Sequence, residues 1–168
     1  MKTKLSLSAI LITLTLTAQS NTATWYLNDT SGNGIQSPTS TASGNHSIAI
    51  GQSSVASGGW STAMGYDTTA SGVVSTAMGQ ETTASGSRSV AMGNNTTASG
   101  ESSTAMGKNT RASRDYSTAM GIGTTASGVG STAMGGFTTA SGVGSTAIGN
   151  NTTANGYGST AIGLSLIH

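Results

Sequence analysis

The chain has 168 residues, 25 of them Gly, with 7% charged and 4% aromatic residues and a formal net charge of +1. A composition so poor in large side chains excludes a thick globular core and leaves room only for a thin one. Cysteine is absent, so disulfide frameworks and thiolate metal sites are excluded too.

The first segment, Met1 to Ala18, opens on Lys2 and Lys4, continues as an apolar run from Leu5 to Leu16 and ends on small residues, which is the profile of a signal peptide. The run is about twelve residues long, short of the roughly 20 needed to cross a bilayer, so no membrane insertion by this segment is expected. Cleavage is predicted after Ala18, with Ala23 as a second acceptable point. Residues 19–40 then form an N-terminal mature segment. Once the leader is removed, Arg88, Lys108, Arg111 and Arg114 stand against Asp29, Asp67, Glu81, Glu101 and Asp115, a net charge of −1. With no extended basic stripe, nucleic acid and anionic lipid are poor partners.

From residue 41 to 163 the sequence is periodic. Ser47, Ser61, Ser75, Ser89, Ser103, Ser117, Ser131, Ser145 and Ser159 each open a Ser-x-Ala-(Met/Ile)-Gly block, and every interval is 14 residues. A constant period without insertions implies one rung of a solenoid per unit. Each unit splits into two halves that read (Ser/Thr)-x-Ala-x-Gly-x-x, as in Ser75 to Glu81 followed by Thr82 to Arg88. Alternating residues closed by Gly and a polar pair predict a short strand and a tight turn. Helical repeats do not fit in 14 residues, and a heptad coiled coil needs two large apolar residues per seven, which these halves lack. The fold class expected is all-β, a parallel β-roll with two short strands per rung.

Side chains alternate between the faces of a strand. The tiny set, Ser, Ala and Gly of the first half and Thr, Ala and Gly of the second, is placed inward, because two sheets approach closely only if their facing residues are small. An apolar ladder then faces outward: Ile50, Met64, Met78, Met92, Met106, Met120, Met134, Ile148 and Ile162. At about 4.8 Å per rung it runs roughly 40 Å. Leaving it wet would create an aggregation patch, and the simplest cover for an identical ladder is copies of itself around an axis. The ladder is therefore the expected interface between copies of the chain. Alternation alone leaves the opposite assignment open, with Met inside the roll and Ala outside, which would permit a monomer.

Ser47-Ile48-Ala49-Ile50-Gly51 and Ser89-Val90-Ala91-Met92-Gly93 resemble the Ser-Val-Ala-Ile-Gly signature of YadA-like trimeric autotransporter adhesin heads, the Hep_Hag repeats, and the resemblance covers about Thr41 to Gly163. It implies a left-handed parallel β-roll in each chain, three chains side by side, and a non-enzymatic head at the bacterial cell surface, projecting from the outer membrane, that binds host, matrix or other cell surfaces. Thr stands in place of the usual aliphatic residue at Thr62, Thr76, Thr104, Thr118, Thr132, Thr146 and Thr160, and Met in place of Ile at six rungs, which softens the ladder. Residues 164–168 carry neither stalk nor anchor strands, so a truncated tail is expected and the mode of anchoring is not fixed by the head.

Residues for chemistry are few. His46 and His168 have no Cys or spaced carboxylates near them in sequence, and the serines have no histidine at a recurring distance, so no catalytic, cofactor-binding or metal site is expected. No Gly-rich segment carries the Lys-Ser/Thr pair of a phosphate loop. Asn-x-Ser/Thr triplets at Asn28, Asn45, Asn94, Asn95, Asn150 and Asn151 read as turn chemistry. The turn pairs Gly59-Trp60, Tyr66-Asp67, Asp115-Tyr116, Gly136-Phe137 and Tyr157-Gly158 hold most aromatics after the leader, either as contact residues or packed over the rims. Arg111 replaces an outward Thr and Arg114 a turn Gly, which reads as a distorted turn with a surface ion pair or as a local binding feature. Two other functions stay open: ice binding, from the outward Thr69 and Ser71, Thr83 and Ser85, Thr97 and Ser99, and a structural fibre spacer without a ligand.

Overall fold

The structure, a computed structural model, describes residues 26–28, 34–36 and 39–163, with side chains described for 39–163. The proposed leader, most of the segment 19–40 and the tail 164–168 lie outside the described residues. Two sheets make up the fold, and no helix occurs among the described residues. An eleven-stranded sheet begins with the antiparallel pair Tyr26–Asn28 and Gly34–Gln36, and continues through the nine strands from Ile48–Gln52 to Thr160–Ile162. A nine-stranded sheet runs from Thr41–Ala42 to Thr153–Ala154. Successive rungs pair in parallel with a shift of one unit, so that Ala77 meets Ala91, Met78 meets Met92 and Gly79 meets Gly93. The parallel solenoid with two strands per rung is the expected one.

The core is a double column of methyl groups. Ala49, Ala63, Ala77, Ala91, Ala105, Ala119, Ala133 and Ala147 from the first sheet and Ala56, Ala70, Ala84 and their successors from the second are fully buried. Ser and Thr at the start of each half point inward with them. Met inside the roll is thereby excluded, since a stack of Ala, Ser and Thr is thin enough for every rung to close on the next with strands of five and two residues.

The two halves are not equivalent, which their similar sequences did not suggest. Past most of the short strands the Ala carbonyl of the next rung accepts two amides: Ser57 N and Gly58 N both donate to Ala70 O, at 3.0 and 3.2 Å. That shared acceptor pulls the chain out of the ladder and into a four-residue turn closed by Ser61 N on Gly58 O at 3.2 Å. At Ser47 and Ser103 the side chain reinforces the same turn, each hydroxyl donating at 2.7 Å to the carbonyl three residues before.

One part of the inward assignment is corrected. The glycines of the second half from Gly44 to Gly142 are buried, but the Gly of the first half is at a corner, partly or well exposed, with φ between 120° and 134° from Gly51 to Gly149. Its role is close approach rather than filling: a Cβ on Gly79 would fall 2.0 Å from Gly93 O. Beyond these glycines, positive φ also falls on the last residue of each turn pair, and non-glycine residues adopt it at His46, Trp60, Val74, Arg88, Tyr116 and Phe137, among others.

Candidate functional site: the outward faces of the roll

The periodicity sorts every outward side chain into a column, so the surfaces of the roll are two sheet faces and two rims of turns. On the eleven-stranded sheet the nine ladder residues come together as one row, paired rung by rung from Ile50 with Met64 to Ile148 with Ile162. From Ile50 to Met120 they are half-buried, and toward the C-terminal end exposure rises to 36% at Met134, 40% at Ile148 and 65% at Ile162. The row lies beside a half-buried column that includes Ile48, Thr62, Thr76 and Val90.

The nine-stranded sheet presents Thr69, Thr83, Thr97, Thr125 and Thr139 in one column and Ser71, Ser85, Ser99, Ser127 and Ser141 in the next. Arg111 interrupts the Thr column, paired with Thr97 on one side and Thr125 on the other. Around it the charged residues concentrate. Arg88 pairs with Glu101, both partly exposed, and this is the one ion pair among the described residues. Asp115 accepts a hydrogen bond from the Glu101 amide at 2.9 Å.

The aromatic turn residues do not pack over the rims. Trp60, Tyr116 and Tyr157 line one rim at 61%, 62% and 88% exposure, with Tyr66 and Phe137 on the other. His46 stacks on Trp60 with ring centroids 5.8 Å apart. That contact joins residues 14 apart in one column, so the repeat spacing was the signal that could have found it. His168 lies outside the described residues. No group of three or more His, Cys, Asp or Glu residues able to hold a metal ion occurs among the described residues, and none of their helices is long and apolar enough to cross a membrane, which says nothing of a β-barrel.

Stacked parallel rungs around an Ala-Ser-Thr core, with their chemistry confined to long flat faces and turn columns, define a repeat module built to present surfaces. The family model for the YadA head domain repeat matches seven stretches, 42–68, 56–82, 70–96, 98–124, 112–138, 126–152 and 140–165. These cover well over half of the chain, which belongs to the YadA head repeat family. No curated protein matches it.

Proposed function

We propose that the chain is the head of a trimeric, exported surface adhesin, without enzymatic activity, that attaches its cell to host, matrix or other cell surfaces. The observation that carries this reading is the Met/Ile row, a straight apolar stripe about 40 Å long at the usual strand spacing, laid along one face of a chain whose family forms such heads. Three rolls that turn these faces together cover one another's ladders with identical side chains, and Met adapts to imperfect registry between them. The ladder residues Ile50, Met64, Met78, Met92, Met106, Met120, Met134, Ile148 and Ile162 are the interface in this reading, which leaves the nine-stranded sheet and both rims for contact with a ligand. Export and outer-membrane display follow from the leader-like start of the sequence together with family membership.

The solution mass of residues 24–168 tests the assembly: three times the chain mass is expected, and a monomer would remove the trimer. Attachment is tested with beads coated with the chain and applied to cultured cells and matrix proteins. Binding is expected, and none at high coating density would favour a spacer.

A further inference from the structure

All four basic residues beyond the leader lie in the 27-residue stretch from Arg88 to Arg114. Arg88 is spent on Glu101. The other three occupy a single rung at intervals of three residues: Lys108 ends the strand Thr104–Lys108, Arg111 opens the strand Arg111–Ala112, and Arg114 follows it. All three are exposed. They cross the nine-stranded sheet from one rim toward the other, and none of them has a carboxylate partner among the described residues.

The fold works against one of them. Arg114 sits in the column of buried glycines, where a Cβ on Gly86 would come 1.9 Å from Gly100 O and one on Gly128 would come 2.1 Å from Gly142 O. In the next rung Gly128 N donates both to Ala140 O at 3.3 Å and to Ser131 Oγ at 3.1 Å, whereas at Arg114 the bond to Ser117 Oγ, at 3.3 Å, is kept and Ser113 N alone donates to Ala126 O. Arg111 breaks the Thr column and is held by its Nε donating to Ser113 Oγ at 3.0 Å, which keeps its terminal nitrogens free of that contact. Two arginines placed where the repeat supplies Thr and Gly, with no ion pair among the described residues to offset them, point to a counter-charge from outside.

We propose that this rung binds an anionic glycan, whose sulfate or carboxylate groups lie on Lys108, Arg111 and Arg114. Guanidinium groups match planar and tetrahedral oxyanions through paired hydrogen bonds. The neighbouring hydroxyls of Thr97, Ser99, Thr125 and Ser127 offer neutral donors and acceptors to sugar hydroxyls between the anions. A nucleic acid would want aromatic platforms for its bases, and this sheet face presents none. The inference rests on the adhesive reading, for which it names the ligand class.

The test measures binding of a heparin-derived octasaccharide and its fully desulfated form to the full chain and to the double variant Arg111→Thr/Arg114→Gly, which restores the residues of adjacent rungs. The parent chain is expected to bind the sulfated sugar in a salt-dependent way, and the double variant about tenfold or more weakly. The variant should melt no lower than the parent, which separates lost contact from lost fold. Equal affinity of the variant and the parent overturns the proposal, as does equally tight binding of a single-stranded oligonucleotide of matched charge. Coated beads distinguish the two levels of the reading. Attachment that persists unchanged in the variant and after enzymatic removal of cell-surface glycosaminoglycans removes the glycan and keeps the adhesin, whereas no attachment by the parent chain removes the adhesin itself.

Discussion

Gly79 and Gly93 stand one above the other at the same corner of successive rungs, so close that a methyl group on Gly79 would lie 2.0 Å from the Gly93 carbonyl oxygen. The φ of 123° at Gly79 is also foreign to residues with a side chain. Gly79→Ala has to distort a backbone locked by rungs on both sides. A loss of about 3–5 kcal/mol in urea unfolding is expected from strain and overpacking together, and a loss below 1 kcal/mol would show that the corner can move.

The buried hydroxyls divide into two kinds with opposite expectations. Thr68 donates to Ser54 Oγ at 2.8 Å, while the Thr96 hydroxyl is buried with no hydrogen-bond partner. Replacing Thr96 with the near-isosteric Val removes an unsatisfied polar atom and should raise stability by about 1 kcal/mol, whereas Thr68→Val should lower it by about as much. Parallel melting curves of the two variants check the difference in sign.

Val74 has φ 59°, a left-handed conformation that a β-branched side chain resists, and it is half exposed. Asn tolerates that region, so Val74→Asn should stabilise the roll by about 0.5–1 kcal/mol, read as a raised melting temperature.

Met106 is at the middle of the proposed interface, between Met92 and Met120. A charge there would be brought against its own copies in a trimer but would stay half solvated in a single roll. Met106→Lys should therefore convert the assembly to single chains by light scattering while the far-ultraviolet circular dichroism keeps its strand signal. Mild peroxide treatment should act in the same direction, because sulfoxide formation makes the row polar.

The rung and its two strands were legible from a period of 14 combined with alternation, and the facing of Ala against Ala from the smallness of the residues that share its side, Ser61 and Thr68, which the structure buries with Ala63 and Ala70. The corner at Gly79 and the unequal strands were not legible. Both halves carry the same small-residue pattern, and what separates them is a carbonyl in the next rung, Ala70 for Ser57 and Gly58, that takes two amides at once. Left-handed φ at Val74 and Trp60 escaped for a related reason. Propensity assigns that conformation to Gly, Asn or Asp, but here the stacked neighbours impose it regardless of side chain. Of the candidate surface, the ladder could be read from alternation only with the added argument that closely facing sheets need small residues between them. The stack of His46 on Trp60 could have been, had the turns been aligned by column.

Because each rung pairs only with the one before and the one after, the ladder hydrogen bonds point along the axis of the roll. Tension applied between its two ends loads them one row at a time rather than all together. A single roll pulled in this way gives up a rung per event, each releasing about 40 Å of chain once the rise between strands is subtracted from the extended length of 14 residues. The stack is thus a series of small mechanical fuses that lengthen a tether under load while the remaining rungs hold.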